Sequence, residues 1–253
     1  MIFRYVFFLL FALITGLAKG QVNVKDSTQE AWVIPVKFGF HIPLGDNADR
    51  FGSDFSIGTG LSYKFKSNWT LSVHGAYIFG DDVVLRNQIL DFVSTSSGQV
   101  LGLAGDFTTV KTFQRGFYVG ANFGKIFPKV LGHNPNSGLQ FQLGAGYLQN
   151  KIRIENPGDV MPQFQGDYLK GYDHLHNGLG LYQYVGFYHA GNDRKLNFTI
   201  GIESMMGLMK SVRGYNYDSR SYDTDQKFDW YLGLNIGWFL PFYNENSQKY
   251  YYY

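Results

Sequence analysis

The sequence predicts an all-β chain that closes into a transmembrane up-and-down antiparallel barrel of eight strands with long extracellular loops. Three observations predict this fold. The N-terminus has the features of an export signal, and the 253 residues include 31 glycines and 18% aromatic residues. Eight segments also alternate apolar residues with polar or small ones, which is the pattern of strands that face lipid on one side and a narrow interior on the other.

Residues 1–20 are predicted to be a secretory signal peptide. Arg4 supplies a positive charge, residues 6–13 form an unbroken apolar run, and the small residues Ala18 and Gly20 precede a predicted cleavage before Gln21. An uncleaved anchor is the alternative, although the apolar run is short for a spanning helix. We expect the barrel at 21–243 and a tyrosine-rich periplasmic tail at 244–253.

Charge and cysteine content exclude several classes of protein. Of the 22 basic residues, Arg4 and Lys19 lie in the signal segment, so 20 bases face 20 acids in the mature chain. This balance gives no argument for a nucleic-acid partner. The chain has no cysteine, which excludes disulfides, thiolate metal sites and a lipid-anchored lipoprotein. We expect no cofactor.

The alternating segments define eight strands and the connections between them. With both termini in the periplasm, 43–54, 80–114, 150–178 and 207–227 lie outside and 66–69, 126–137 and 189–195 lie inside, so the three longest connections are extracellular. Gln183 interrupts the sixth segment because alternation turns it toward lipid, which leaves that register open. The strands are predicted at 32–42, 55–65, 70–79, 115–125, 139–147, 179–188, 196–203 and 228–238.

Aromatic residues near the strand ends distinguish a membrane barrel from a soluble lipocalin-like barrel or sandwich, which would also alternate. Tryptophan and tyrosine are enriched where a membrane protein meets the membrane–water interface. The residues predicted to form such girdles are Trp32, Tyr63, Trp69, Tyr77, Tyr147, Trp230 and Trp238.

Charged side chains are predicted to point into the interior. Buried charges must be paired, so we expect a Lys–Glu network that links the first, second and seventh strands. A gated proton or ion path is the functional alternative, although eight-stranded barrels are normally filled by their own side chains. The residues of the predicted network are Lys37, His41, Lys64, His74, Glu203 and Asp229.

The second extracellular connection contains unusually many apolar residues for an exposed loop. Asp81 and Asp82 are predicted to cap a short helix that runs to about Val93, and 99–103 with 107–112 read as a hairpin around 104–106. The helix and hairpin either fold over the barrel mouth as a lid or offer a docking surface to a partner. The docking residues in the second case are Leu85, Ile89, Phe92 and Val93.

Other loop clusters invite metal or catalytic hypotheses. Asp167, Asp173, His174 and His176 could supply metal ligands, but a solvated polar loop explains them better, and Asp46, Asp49 and Asp54 lack the spacing of a calcium loop. For catalysis, Ser204 is adjacent to Glu203, which points the opposite way, and no histidine is placed beside that serine. We therefore expect neither a metal site nor an enzyme.

Several motifs resemble known outer-membrane proteins. Residues 230–243, Trp-Tyr-Leu-Gly-Leu-Asn-Ile-Gly-Trp-Phe-Leu-Pro-Phe-Tyr, resemble the C-terminal signal that outer-membrane assembly machinery reads. Pro-Leu-Gly-Asp-Asn-Ala-Asp-Arg-Phe-Gly at 43–52 and Gly-Leu-Ser-Tyr-Lys-Phe-Lys-Ser-Asn-Trp at 60–69 resemble small, mostly uncharacterised outer-membrane proteins of Bacteroidota. In fold the chain is similar to the eight-stranded OmpA and OmpW barrels. The resemblance implies integral location in the outer membrane of a Gram-negative cell envelope, and no particular chemistry.

These observations support two functional hypotheses. In the first, the chain is a non-catalytic barrel that serves as an accessory or structural subunit of a larger outer-membrane secretion or protein-assembly complex. Its partners would then be the lipid bilayer and a larger outer-membrane barrel. In the second, it is a small porin-like pore or a binder of ligands through its extracellular loops, and a lipid-modifying enzyme is a more distant alternative.

Overall fold

A computed structural model describes residues 24–25, 27–95, 97, 99–102, 105–128, 130–156, 158, 161–192 and 195–243. The predicted signal peptide (1–20) and tyrosine-rich tail (244–253) lie outside the described residues. Among the residues described, no helix has both the length and the apolar character needed to cross a membrane.

Eight long strands form a closed antiparallel barrel, as the sequence predicts. They are β1 (Ala31–Gly45), β2 (Asp54–Lys64), β3 (Trp69–Gly80), β6 (Lys111–Phe127), β7 (Gly138–Glu155), β8 (His176–Ala190), β9 (Asn197–Ser211) and β12 (Lys227–Tyr243). Each strand pairs with its neighbours along the chain, and β1 pairs with β12 to close the sheet. Closure gives every strand two partners, so no edge of the sheet is left unpaired.

Short elements lie in three of the connections. The second loop carries β4 (Val100–Leu101), β5 (Phe107–Thr108), the helix α1 (Arg86–Leu90) and a 3₁₀ turn at Asp91–Val93. The fourth carries β10 (Tyr215–Asn216) and β11 (Ser221–Tyr222), and the third has 3₁₀ turns at Pro162–Phe164 and Tyr168–Gly171. We name the connections at this loop end loop 1 (46–53), loop 2 (81–110), loop 3 (156–175) and loop 4 (212–226). The opposite end, with Ala31, Tyr243 and the short connections, is the terminal end.

Alternation sets the two faces of the sheet. Along β1, for example, Val36, Phe38, Phe40 and Ile42 are exposed on the outside, whereas Gly39 and His41 are buried inside. Gln183 lies opposite Leu143 on β7 and Ser204 on β9, so it does face outward, and the register of the sixth strand is now defined. Strands β6, β7, β9 and β12 are longer than predicted, because they extend beyond the apolar belt toward the loop end or the terminal end.

Large aromatic side chains fill the interior, and glycines on the inner face make room for them. A side chain at Gly120 would collide with the hydroxyl of Tyr118, and one at Gly186 would collide with the hydroxyl of Tyr184. Tyr118, Tyr182, Tyr184 and Tyr231 are all fully buried with Ile78, Leu148, Met205 and Met209. An eight-stranded barrel is only wide enough for side chains, and this interior is occupied by them.

Candidate functional site: the filled interior and the loop cap

A buried acid–histidine–acid group lies in the interior and joins three strands. The two ring nitrogens of His41 on β1 each contact a carboxylate, Nδ1 with Asp54 Oδ1 of β2 and Nε2 with Glu203 Oε1 of β9, both at 2.8 Å. The side chains of His41 and Asp54 are 0% exposed and that of Glu203 is 4% exposed. The ring can donate from both nitrogens only when it is protonated on both, so the group is suited to a cationic imidazole between two carboxylates.

Further donors surround the same carboxylates. The Tyr182 hydroxyl donates to Glu203 Oε2 at 3.1 Å, and Asn235 Nδ2 donates to Glu203 Oε1 at 2.9 Å. Lys37 Nζ donates to the Tyr182 hydroxyl at 3.3 Å and lies 5.2 Å from the centre of the Tyr184 ring. Lys37 is therefore connected to Glu203 through a tyrosine, without a direct ion pair.

A second group closes the interior toward the loop end. Arg50, from loop 1, reaches into the barrel mouth, and its guanidinium pairs with the carboxylate of Asp229. The same guanidinium donates to Asn150 Oδ1 at 3.0 Å and contacts His176 Nδ1 at 2.9 Å. Asn150 in turn donates to Asp229 Oδ2 at 2.6 Å and to the Tyr231 hydroxyl at 3.0 Å. Three strands (β7, β8 and β12) and a loop are thus joined at one level.

The terminal half of the interior holds a small polar cavity of about 30 Å³. Lys64, Asn122 and Gln142 are among the side chains that line it, and the oxygens Asn122 Oδ1 and Gln142 Oε1 are buried without a hydrogen-bond partner in the described chain. A cavity of this size and polarity accommodates about two water molecules. It is too small for an organic ligand or a continuous conduction path.

The interior differs from the predicted network in its partners. The predicted residues do point inward, and a network does link β1, β2 and β9. However, Glu203 pairs with His41, and Lys64 lies at the terminal end, where its Nζ donates to Gln29 O at 2.8 Å and Asn136 Oδ1 at 3.0 Å. His74 contacts Asn122 Nδ2 at 2.5 Å through Nδ1.

Two essential members, Arg50 and Asp54, were not in the predicted network. Both lie within the predicted first extracellular connection (43–54), because Asp54 precedes the first apolar residue of β2. Its position is nevertheless in phase with the inward residues Ser56 and Gly58, and that parity is the signal that could have identified it. Arg50 lies in a loop, where no alternating pattern indicates the direction of its side chain.

The four loops form one folded cap over the barrel mouth. Its hydrophobic core combines residues of loops 1, 2 and 3 with the end of β7, and Ile89 within it is completely buried. Backbone hydrogen bonds join loop 1 to loop 2, from Gly52 N to Asp82 O at 2.9 Å and from Val84 N to Arg50 O at 3.0 Å. The core residues are Phe51, Val83, Ile89, Leu90, Val100, Val110, Ile152, Ile154, Met161, Phe164 and Tyr172.

Three of the four predicted docking residues lie in the cap core or pack against it. Ile89 has no exposed surface, and Leu85 and Val93 pack against the cap core, so these three side chains cover the barrel rather than face a partner. Phe92 alone of the four keeps a large exposed fraction, 47%. The predicted capping of the helix by Asp81 and Asp82 is wrong, because α1 starts after Leu85, which makes no side-chain cap hydrogen bond.

Ion pairs fasten loop 4 to loop 3 and use the residues that suggested a metal site. Arg213 holds Asp173 with Nε–Oδ1 and Nη2–Oδ2 distances of 3.0 and 2.6 Å. His174 Nε2 contacts Asp218 Oδ2 at 3.0 Å and His176 Nε2 contacts Asp223 Oδ2 at 3.0 Å, while Asp167 pairs with Lys170. Within the described ranges, no three His, Asp or Glu side chains form a group that could hold a metal ion.

These loop ion pairs predict an acid-sensitive fourth loop. Burial raises the pKa of Asp218, but the hydrogen bond and charge of His174, together with hydrogen bonds from Gln88 and the Ser219 backbone, outweigh it, so the net pKa lies below the usual 3.8. The pKa of Asp223 is also lowered, since His176, Asn216 and Lys227 outweigh its burial. A depressed carboxyl pKa stabilises the folded loop above the unfolded pKa, and this stability disappears as pH falls through the folded value.

We therefore expect loop 4 to stay protected from hydrogen exchange between pH 7 and about pH 5 and to open below about pH 4. Hydrogen–deuterium exchange of 212–226 in micelles, corrected for the intrinsic pH dependence of exchange, measures this. The double substitution Asp218→Asn with Asp223→Asn should remove the transition. An opening midpoint above pH 5 would contradict the assignment.

The residues of the calcium and catalytic hypotheses do not come together in a common site. Asp54 is used by His41, whereas Asp46 Oδ2 accepts a hydrogen bond from Phe228 N at 2.6 Å, so the calcium hypothesis has no common centre. Ser204 faces outward and its Oγ accepts a hydrogen bond from Trp230 Nε1 at 2.9 Å, whereas Glu203 faces the interior. The serine has neither a base nor an acid beside it in the described chain.

The predicted girdle residues lie on the outside in two bands. Near the terminal end, Trp32 packs edge-on against Tyr63 at a ring-centre distance of 4.9 Å, and Trp69 stacks on Phe123 at 4.6 Å. Trp238, opposite Val36 of β1, is also exposed on the outside. Nearer the loop end are Tyr77, Tyr147 and Trp230. Apolar outward residues occupy the belt between the bands.

Fold and interior together define the class: a closed eight-stranded antiparallel barrel with an apolar exterior, a filled interior and a capped mouth. Neither a protein-family model nor a curated protein matches the chain. Among solved structures it is similar to Ail, the attachment invasion locus protein of Yersinia pestis, at 11% identity and a TM-score of 0.44, with 84% of this chain and 99% of that chain covered.

Two further solved structures have comparable similarity. Neisserial surface protein A has 12% identity and a TM-score of 0.39, with coverage of 82% of this chain and 96% of that one. The outer membrane protein OprG from Pseudomonas aeruginosa has 14% identity and a TM-score of 0.39, with coverage of 87% and 99%. At such identities the likeness concerns the fold alone.

Proposed function

We propose that the chain is an integral outer-membrane barrel that neither conducts nor catalyses, and that it serves as a structural subunit of a larger envelope complex. Its exterior supports the membrane location. Outward residues such as Val36, Phe38, Ile57 and Val73 are about half exposed. A continuous apolar belt of this kind, bounded by aromatic bands, is unfavourable in water and is matched by lipid. Export by the signal at 1–20 belongs to the same proposal.

The observation that carries the non-conducting part is the filled and capped interior. A solute that entered from the loop end would meet the cap core around Ile89, then the Arg50–Asp229 pair, then the His41 group. Each barrier is made of buried, mutually bonded side chains, so opening a path would break several interactions together. The alternative of a small pore does not fit this arrangement.

We expect the protein to give no stable channel in planar bilayers at any voltage. The reason is that a continuous water column needs an interior wider than the side chains that fill it. Insertion is checked in the same sample by heat-modifiable mobility, which distinguishes a folded, silent barrel from a failed reconstitution. Reproducible single-channel steps from an inserted, purified protein would refute the non-conducting assignment.

An exposed series of aromatic rings on the cap supports the partner-binding part. We define the aromatic surface as Phe92, Tyr215, Tyr217 and Tyr222. Phe92 stacks on the buried Tyr172 at 5.5 Å, Tyr172 contacts Tyr217 at 5.6 Å, and Tyr215 contacts both Tyr217 at 6.0 Å and Tyr222 at 5.1 Å. Tyr222 is 79% exposed. Exposed tyrosines held rigidly by a packed base are typical of protein interfaces.

We expect the double substitution Tyr217→Ser with Tyr222→Ser to weaken binding of a larger outer-membrane protein in mild detergent by about 30-fold or more, because hot-spot tyrosines contribute about 1–2 kcal/mol each and 1.4 kcal/mol is a factor of about ten. The control is Tyr168→Ser, which removes a tyrosine outside the ring series whose exposure, 68%, lies between those of Tyr217 and Tyr222. Quantitative mass spectrometry of the eluates measures both. Solitary migration of the wild-type barrel would contradict the subunit role, and equal loss in the control would contradict the assigned surface.

A further inference from the structure

Strands β6 and β7 project beyond the rest of the barrel at the loop end. They pair with each other as far as Lys111 opposite Glu155. Their outer neighbours stop earlier, since β3 ends with Gly80 opposite Gln114 and β8 begins with His176 opposite Asn150. The pair therefore forms a two-stranded ribbon whose outward face continues the wall of the barrel.

The outward face of this ribbon becomes mainly cationic beyond the aromatic band. Phe117 on β6 and Tyr147 on β7, whose rings lie 5.6 Å apart, end that band, and Phe113 is the one apolar residue among the outward positions further along the ribbon. Arg115 is the next outward residue on β6, and it lies directly opposite Lys151 on β7. At about 3.4 Å per residue and a strand tilt of about 40°, Arg115 lies roughly 5 Å beyond the aromatic band. That is the level of lipid headgroups.

We define the cationic strip as Lys111, Arg115, Lys151 and Arg153. Among the outward positions 111, 113 and 115 of β6 and 149, 151, 153 and 155 of β7, Glu155 is the one acid, and Arg153 Nη2 pairs with its Oε1 at 2.9 Å. Neither Lys111 nor Lys151 has a hydrogen-bond or ion-pair partner in the described chain. Four bases and one acid leave this face with three uncompensated positive charges.

The Arg115 side chain is held in place by neighbouring groups, but no carboxylate of the described chain pairs with its charge. Its guanidinium lies 4.8 Å from the centre of the Phe113 ring, and its Nη1 donates to the backbone oxygens of Gln114 at 2.6 Å and Gly80 at 3.3 Å. Like charges placed directly opposite each other on a sheet are destabilising. The Arg115–Lys151 pair is relieved when an anion lies between the two groups, and a fixed guanidinium with an adjacent ammonium fits a phosphate well.

We propose that the cationic strip binds the phosphate groups of an anionic lipid at the outer surface of the membrane, with Arg115 and Lys151 holding one phosphate. This inference rests on the proposed membrane location. The apolar wall below the strip receives the acyl chains, and Lys111, whose side chain has no acidic partner in the described chain, is available to a second phosphate. A bisphosphorylated saccharolipid of the lipid A type has this combination of chains and charges.

Native mass spectrometry of the barrel released from phosphatidylcholine nanodiscs tests the proposal. Equal amounts of bisphosphorylated lipid A and its dephosphorylated form are added. The wild-type protein should retain the bisphosphorylated lipid at least tenfold more, and Arg115→Gln with Lys151→Gln should lower this retention about tenfold. The charge-matched control, Lys66→Gln with Lys195→Gln, removes two exposed lysines from the short connections of the terminal end and should change nothing.

Three results would overturn the proposal. They are equal retention of the two lipids, an equal loss in the control variant, and complete displacement of lipid A by millimolar inorganic phosphate, which would reveal a site for a free ion. Heat-modifiable mobility of each sample separates the two levels of inference. An inserted wild-type barrel without phosphate preference refutes this site alone, whereas a wild-type chain that does not insert refutes the membrane location as well.

Discussion

Replacing Glu203 by alanine should lower the free energy of unfolding by about 3–5 kcal/mol, because it breaks a buried ionic group from one side. His41, Tyr182 and Asn235 all donate to this carboxylate. Without it, the imidazole keeps a single carboxylate, Asp54, and two further donors are left buried without an acceptor. The guanidinium dependence of the heat-modifiable band in micelles measures the change.

Two variants make this prediction specific. Glu203→Gln keeps the shape and an acceptor oxygen but removes the charge, so we expect about half of the loss. Ser204→Ala changes the adjacent residue on the outer face, where a single hydrogen bond from Trp230 is lost, and should cost about 1 kcal/mol or less. If Glu203→Ala were no more damaging than Ser204→Ala, the interior network would not stabilise the barrel.

The barrel itself could be predicted because strands that separate two environments carry a regular signal. Alternation along β1, with Val36, Phe38 and Phe40 outward and Gly39 and His41 inward, repeats in every strand. Closure, strand order and the long-loop end then follow from even strand number and short connections. Even Gln183, which breaks the alternation, lies on the face that its parity indicates.

The ion pairs of the interior could not be predicted in the same way. Parity shows which side chains point inward, but partner choice depends on the height of each residue along the barrel, and that depends on strand stagger. Lys64 and Glu203 point into the same interior, yet Lys64 lies at the terminal end beside Asn136. Arg50 comes from a loop, so no periodic pattern assigns it to Asp229.

The cap could be predicted in part: less well than the barrel strands, but better than the ion pairs of the interior. Its apolar residues were visible in the sequence, but two structures could bury them, a lid or a partner interface. What decides between them is the number of apolar residues that other loops supply, such as Phe51 of loop 1 and Met161 and Phe164 of loop 3. Isolated apolar residues in separate loops have no local pattern, so their convergence on Ile89 became evident only in three dimensions.

Replacing Ile89 by aspartate should unfold the cap and leave the barrel intact. Ile89 is fully enclosed in the cap core, and placing an unpaired carboxylate there costs several kcal/mol. A loss of about 3 kcal/mol raises the open population of loop 2 by about 100-fold, and proteolysis within 81–110 should accelerate by a similar factor when opening is fast. Limited proteolysis in micelles, with the resistant core identified by mass spectrometry, measures this.

Val84→Asp is the matched control, because Val84 lies in the same loop with 54% of its surface exposed and should tolerate the charge. We expect both variants to retain the heat-modifiable band, since the strands and the His41 group do not depend on the cap core. Ile89→Asp should also remain silent in planar bilayers, because the His41–Glu203 level and the buried tyrosines around it still fill the interior beneath the opened cap. If Ile89→Asp formed channels and Val84→Asp did not, the cap would be the only barrier to conduction, and loop 2 would act as a gate.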